Sequence, residues 1–227
     1  MSNFSNIKYL TFLKDSGISS FLQNQNKKFY LKKSKQMNLK DINNIEDLIY
    51  YINQVKTNLN KNLISKGNIS SEIMIIVGNP SQTDVKNNEL LSAAEGELMN
   101  KMLKAINLNS NKIYICSIIP WLLSENRDPT TDEIMQYLPF IQKHIEIAKP
   151  KIMFIMGNTA TKAILNTPHS IEKLREKWHN YKTIKLKKSI PTLCTYHPSS
   201  LLLYPDYKKK SWKDLKMLQQ KILNENL

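Results

Sequence analysis

The stretch Ile73-Met74-Ile75-Ile76-Val77-Gly78 decides the fold class of this chain. Five apolar residues follow one another without a polar interruption, which is typical of a strand buried on both faces of a sheet. Over residues 95–107 the apolar positions recur at helical spacing instead. The sequence therefore predicts a buried strand followed by a helix that covers it.

The same strand-then-helix unit occurs four times along the chain. The predicted strands are Ile73–Val77, Lys112–Ile119, Ile152–Met156 and Ile190–Tyr196, and the helices that follow them are 95–107, 131–148, 158–165 and 209–223. Such alternation predicts a parallel sheet with helices on its faces. We therefore expect an α/β fold, a single three-layer domain with a central, mainly parallel four-stranded sheet flanked by helices.

The residues ahead of the first strand have a different pattern. Residues 6–26 and 44–59 show helical spacing, and a lysine-rich segment without glycine, residues 27–43, separates them. We expect an N-terminal helical extension over residues 1–68, followed by the α/β domain over residues 69–227.

The formal net charge of +14 indicates an anionic partner, and phosphate backbones are the commonest of these. Lysines cluster in residues 27–35, 182–188 and 208–213, which favours a local binding surface for nucleic acid. Two alternatives stay open at this stage. The lysine excess also fits a coding bias toward AT-rich codons, and the clusters also fit ordinary solvated faces.

Several functional classes are disfavoured by the sequence. There is no window of eighteen uncharged apolar residues and no secretory signal pattern at the start, so we expect no membrane contact. Cys116 and Cys194 lie in predicted buried strands, where a thiol acts as a small apolar group. Neither a G-x-G-x-x-G nor a phosphate-loop motif is present, which disfavours a nucleotide cofactor. We expect a cytoplasmic monomer without a metal site.

In open parallel sheets the ligand crevice lies beyond the carboxyl ends of the strands. The strongest candidate for a catalytic or binding segment there is Tyr196-His197-Pro198-Ser199-Ser200-Leu201, at the end of the last predicted strand. A histidine fixed by proline and followed by two hydroxyls and a leucine can place one donor and one wedge in a cleft. The alternative is a histidine that only fills space in the core.

A second candidate is Arg127, one of only two arginines in the chain, the other being Arg175. The planar guanidinium makes bidentate contacts with a carboxylate or a phosphate, which lysine cannot do. Asp128 is a candidate carboxylate partner, and a phosphate contact is the alternative. Thr130 or Thr131 can cap the helix that follows.

Five segments, in order, resemble the uracil-DNA glycosylase superfamily. They are Gly78-Asn79-Pro80, Glu95-Gly96-Glu97-Leu98-Met99, Asn126-Arg127-Asp128-Pro129-Thr130, Lys173-Leu174-Arg175-Glu176-Lys177-Trp178 and Tyr196-His197-Pro198-Ser199-Ser200-Leu201-Leu202. The resemblance covers about residues 70–223. It is nearest to the bacterial family-four type, in particular to its relatives with Pro-Trp where the iron–sulfur members carry cysteine.

The resemblance implies a DNA repair enzyme. A damaged base, uracil above all, would be flipped out of DNA, and water would cleave its N-glycosidic bond. By resemblance, His197 would stabilise the charge that develops on the departing pyrimidine, and Leu201 would enter the space that the base vacates. The other residues expected to contact DNA are Ser199, Ser200, Arg127 and Arg175.

The chain also departs from the family at the expected base pocket, which would include Gly78 and Pro80. The family carboxylate that activates water is absent from residues 77–79. Asn79 resembles the Gly-x-Asn-Pro form of the mismatch-specific and single-strand-selective branches, in which the amide positions the water. Asp84 is a second possibility for a carboxylate.

Three further positions differ from the family. Its aromatic platform falls on Leu91, and the Asn that reads the uracil edge falls on Ser117. An iron–sulfur cysteine falls on Trp121 and the other ligands are lacking, so we expect no cluster and no other cofactor. Two hypotheses remain open, namely a working glycosylase that uses Asn79 and His197, and a catalytically degenerate DNA-binding protein on the same fold.

Overall fold

The structure is a computed structural model that describes residues 38–55, 61–123, 127–183, 186 and 188–227. Its centre is a six-stranded sheet in the order β1-β3-β2-β4-β6-β5. The strands are β1 (Ser65–Gly67), β2 (Ile73–Val77), β3 (Ile113–Ser117), β4 (Ile152–Met156), β5 (His179–Tyr181) and β6 (Ile190–Thr195). The α/β class and the mainly parallel sheet are thereby confirmed.

The four predicted strands are the four parallel ones, namely β3, β2, β4 and β6. Every residue of β2, β3 and β4 is buried, as their uninterrupted apolar sequences require. The count of four strands was too low, because β1 and β5 add antiparallel edges next to β3 and β6. Each is three residues long, which is too short to produce a recognisable period of two.

The helices that follow the strands are found close to their predicted positions. In chain order the helices are α1 (Ile45–Val55), α2 (Lys61–Ile64), α3 (Gln82–Asn87), α4 (Ala93–Ala105), α5 (Thr131–Ala148), α6 (Asn158–Leu165), α7 (Ile171–Leu174), α8 (Pro198–Leu203) and α9 (Tyr207–Glu225). Within the ranges described, no helix is long and apolar enough to cross a membrane.

A smaller hydrophobic cluster joins α1 to the domain. Leu48, Ile49 and Ile52 of α1 are buried, and Phe140 and Ile147 of α5 pack against the same cluster. The helix predicted over residues 44–59 is present over Ile45–Val55. The helix predicted over 6–26 and most of the lysine-rich segment lie outside the described residues, and the boundary between residues 68 and 69 stays a prediction.

Candidate active site

The parallel strands bring the predicted site residues to one edge of the sheet. The strands end level with one another, because Val77 pairs with Ser117 and Met156 pairs with Thr195. Asn79 follows β2 and His197 follows β6, and β4 lies between these two strands. Two strand spacings amount to about 10 Å. Asn79 and His197 therefore follow the two strands that flank β4.

Gly157 forms the floor of this crevice at the end of β4. Its φ of +95° lies in the left-handed region, which only glycine adopts without strain. A Cβ at this position would lie 3.1 Å from His197 Cβ. The glycine therefore lets the imidazole of His197 lie directly against the backbone of β4.

His197 is the N-cap of α8, with Pro198 in the first helical position. Its Nδ1 accepts a hydrogen bond from the Ser199 backbone N–H at 3.3 Å and lies 2.8 Å from Ser199 Oγ. Because Nδ1 accepts, the ring proton is assigned to Nε2. Burial lowers the pKa of His197 to about 4, and the charge of Asp84 opposes this shift. At neutral pH the ring is thus an uncharged hydrogen-bond donor.

Asn79 is half-buried on the opposite side of the crevice. Its Nδ2 donates to the carbonyl oxygen of Pro80 at 3.3 Å, which orients the amide. The amide oxygen is left to accept a hydrogen bond from water. Pro80 is buried beneath it.

Ser117 and Leu91 have internal roles in the structure. The buried Ser117 hydroxyl donates to the carbonyl oxygen of Leu63 at 2.8 Å, so its proton is not available to a base. Leu91 is part of the main hydrophobic core, with φ +52°. Its carbonyl lies so close to α4 that a Cβ on Gly96 would clash with it. Leu91 therefore supports the turn that leads into α4.

Asp84 is a structural carboxylate and not an accessible base. It forms a capping box with Ser81 at the start of α3, and its Oδ2 accepts from the Ser81 backbone N–H at 3.0 Å. Its Oδ1 accepts from the Ser92 backbone N–H at 2.6 Å. Asp84 is buried. It therefore ties the loop after Asn79 to the first turn of α4.

Glu95, in the first turn of α4, is the site residue that sequence reasoning missed. Its Oε2 lies 3.9 Å from His197 Nδ1, and about a fifth of its side chain is exposed. Burial, with the charge of Asp84 as the second cause, raises the pKa of Glu95 to about 7. The sequence did contain an indication of this residue, because Glu95 is an ionisable residue in the first turn of the first long helix after the carboxyl end of β2.

Arg127 makes a bidentate contact with a carboxylate, as predicted, but the partner is Glu133 and not Asp128. Its Nη1 and Nη2 each donate to Glu133 at 2.8 Å, and this lowers the pKa of Glu133 to about 2. The suggestion of Asp128 as its side-chain partner was wrong, since Asp128 instead accepts from Thr159 Oγ1 at 3.3 Å. Thr130 is the N-cap of α5. The partly exposed Arg127 lies in a loop bonded to α6, near Gly157.

Arg175 does not fit the expected contact with DNA, because it lies inside the protein. Its Nε and Nη2 donate to the fully buried Asp214 at 3.1 and 2.8 Å, and Nη2 also donates to the carbonyl oxygen of Lys210. The guanidinium stands over the ring of Tyr196, 5.1 Å from its centroid. The arginine therefore joins α9 to the segment after α7.

The expected wedge, Leu201, also points inward. It is 1% exposed and belongs to the main core, because one face of α8 packs against the domain. The next residues of the segment face solvent, with exposures of 69% for Leu203 and 53% for Tyr204. Ser199 is exposed and Ser200 half-buried. The apolar side chains available to DNA are therefore further along the segment than the sequence predicted.

The residues present do not fit an iron–sulfur cluster. Trp121, which the resemblance sets at the position of a family cysteine, is buried and packs edge-on against Tyr137 with ring centroids 4.3 Å apart. A four-iron cluster takes four thiolates, whereas the chain has two cysteines, Cys116 and Cys194, both buried in strands. In the part of the chain that the structure describes, no group of three His, Cys, Asp or Glu side chains could hold a metal ion.

Comparison with known proteins shows the family to which this chain belongs. A model of the uracil DNA glycosylase superfamily matches residues 64–216. The chain is 30% identical to the type-4 uracil-DNA glycosylase of Sulfurisphaera tokodaii over 160 residues, 68% of this chain and 72% of the relative. The type-4 uracil-DNA glycosylase of Archaeoglobus fulgidus is 25% identical over 67% of this chain and 77% of its own length. That of Saccharolobus solfataricus is 26% identical over 68% of this chain and 73% of its own length.

Proposed function

Because this chain belongs to the uracil-DNA glycosylase superfamily, we propose that it hydrolyses the N-glycosidic bond of a damaged base, uracil above all, flipped out of DNA. The observation that carries the proposal is the neutral His197, held with its Nε2 proton available at the carboxyl edge of the sheet, two strands from Asn79. These two side chains follow the strands on either side of β4, and the flipped base is proposed to bind between them.

His197 acts on the leaving group. As the bond between C1′ and the base breaks, the electron pair stays with the base and negative charge develops on its carbonyl oxygens. A donor already aimed at this charge stabilises the transition state without reorganisation, and removal of one such donor costs about 10²–10³ in rate. An uncharged imidazole supplies this donor at neutral pH.

Asn79 acts on the nucleophile. Its amide oxygen accepts a hydrogen bond from the attacking water and holds that water against C1′. An amide does not accept a proton at neutral pH, so Asn79 positions the water without deprotonating it.

The DNA-facing surface is the exposed end of α8 with the start of α9. Leu203 and Tyr204 are exposed apolar side chains, and the exposed Lys208 and Lys209 follow them. We assign Leu203 to the space that the flipped base vacates, since an inserted apolar side chain holds a base step open. Ser199 and the rim residue Arg127 contact the phosphates on either side.

A catalytically degenerate DNA-binding protein is the second candidate. The observation that favours it is the internal role of Ser117 and Leu91, because neither of these two side chains supplies a paired reader of the uracil edge or an aromatic platform. Base stacking on an aromatic ring contributes about 1–3 kcal/mol. Capture of the base is therefore weaker here than in a site with that ring.

The test is base release from a labelled duplex that contains one uracil, followed by alkaline cleavage of abasic sites. We expect a shorter product from the wild-type protein. His197→Ala is expected to lower the single-turnover rate by about 10²–10³, with duplex affinity within about twofold of wild type. His169→Ala is the matched control, because His169 is exposed and follows the far end of α6.

Two outcomes would contradict the proposal. If uracil, hypoxanthine and mismatched thymine all stay in place while duplex binding weakens steeply with salt, the second candidate is correct. If His197→Ala lowers activity and DNA affinity equally, the histidine has a structural role.

A further inference from the structure

Hydrolysis at this site requires a group that takes a proton from water, and Asn79 is not such a group. No acid stands at residues 77–79, and the two oxygens of Asp84 accept backbone N–H groups inside the protein. Glu133 is occupied by Arg127. Asp128 accepts a hydrogen bond from Thr159 Oγ1, and Glu95 is the carboxylate that lies beside His197.

The position of Glu95 follows from contacts on both of its sides. On one side, Asp84 ties the Ser81 and Ser92 backbones together, and these residues lie just after Asn79 and just before Glu95. On the other side, Glu95 Oε2 lies 3.9 Å from His197 Nδ1. Glu95 therefore lies beside His197, in the helix that Asp84 ties to the loop after Asn79.

The surroundings of Glu95 suit a base. In the structure its oxygens have no hydrogen-bond donor among the described residues within bonding distance, and its side chain is partly exposed, so water has access to it. The titratable groups that face it are Asp84 from α3 and His197 from the start of α8. His197 is neutral at pH 7, and burial raises the pKa of Glu95 to about 7, so Glu95 titrates near neutrality.

We propose that Glu95 is the general base of this site, a role that rests on the proposed glycosylase function. Asn79 holds the water, whose oxygen forms the new bond to C1′ while the bond from C1′ to the base nitrogen breaks. The electron pair leaves with the base, stabilised by His197, and the proton of the water passes to the Glu95 carboxylate. Atoms and charge balance without any further reactant.

The experiment measures single-turnover uracil release from duplex DNA between pH 5 and pH 9 for three proteins. They are wild type, Glu95→Gln and the matched control Glu97→Gln, which alters an exposed carboxylate of the same helix. The wild-type rate is expected to rise with pH through a midpoint near 7, where Glu95 ionises. Glu95→Gln is expected to lose about 10²–10⁴ in rate and the rising limb of the profile. Glu97→Gln is expected to retain both.

Duplex affinity and thermal unfolding of Glu95→Gln exclude a folding defect, and both are expected to match or exceed wild type at pH 8. If wild type releases uracil and Glu95→Gln stays within threefold of it with the same pH profile, Glu95 is not the base, although the glycosylase function stands. If wild type releases no base at any pH, the proposed function fails and the role of Glu95 fails with it.

Discussion

At the scale of single residues, the crevice contains ionisable groups whose pKa values are shifted in useful directions. Burial keeps His197 neutral, with a pKa of about 4, and keeps Glu95 protonated up to about pH 7. Perturbed ionisable groups next to each other in a cleft are typical of catalytic sites. The shifts also have a cost in folding free energy, which can be measured independently of DNA.

Glu95→Gln is expected to change the pH dependence of stability. The pKa of Glu95 is raised from 4.5 to about 7 on folding, so the native state holds the proton more tightly than the unfolded chain. The stability that this provides is present below pH 4.5 and is lost as the pH rises to 7. Glutamine carries no proton to lose, and the variant should therefore be more stable than wild type at pH 8 by about 1–3 kcal/mol.

Urea denaturation at pH 4.5 and pH 8 measures this difference. Glu97→Gln serves as the control, since its exposed carboxylate gives no reason for a pH-dependent gain. An equal stability difference between Glu95→Gln and wild type at both pH values would show that burial does not shift this carboxyl.

At the scale of elements, α8 has two faces with different roles. Leu201 fills the core, whereas Leu203 stands in solvent two residues later. The sequence predicted a histidine fixed by Pro198 in this segment, because the segment follows directly on a predicted buried strand. It assigned the wedge to Leu201, which is buried, because a helix of six residues is too short to show in the sequence which face is apolar.

The two leucines are expected to respond in opposite ways to truncation. Leu201→Ala leaves a cavity in the core and should lower the free energy of unfolding by about 2–5 kcal/mol. Leu203→Ala should change it by less than about 0.5 kcal/mol, as surface substitutions do. Leu203→Ala should nevertheless slow uracil release from duplex DNA at least about tenfold, because the vacated base step is no longer held open.

Parallel assays on single-stranded DNA provide the comparison, since there no base pair has to be opened. Urea denaturation of both variants gives the stability values. Equal slowing of Leu203→Ala on single and double strands, or no slowing on either, would remove Leu203 from the wedge position.

At the scale of the whole molecule, the net charge of +14 affects DNA binding through those lysines that lie near the candidate site. Lys208 and Lys209 are exposed at the start of α9, directly after the Leu203-Tyr204 pair. Lys104 and Lys112 are equally exposed, but they lie at the amino edge of the sheet, at the end of α4 and just before β3.

Salt dependence separates these two pairs of lysines. Each phosphate contact contributes about 0.9 to the slope of log affinity against log salt concentration on duplex DNA. The double variant Lys208→Gln/Lys209→Gln is therefore expected to lower the slope by about 2. The control Lys104→Gln/Lys112→Gln, with the same change in net charge, should leave it unchanged. Equal changes from both pairs would mean that the charge acts without a defined binding face.

The sequence by itself determined the four parallel strands and the helices that cover them, and it placed Asn79 and His197 at the carboxyl edge of the sheet. This was possible because buried parallel strands have uninterrupted apolar sequences and their carboxyl ends meet at one edge. Only the tertiary structure decided that Arg175 forms a buried ion pair with Asp214. It also decided that Leu203 and not Leu201 faces solvent, and that Glu95 lies beside His197. These outcomes depend on contacts between residues far apart in the chain, and local periodicity carries no information about such contacts.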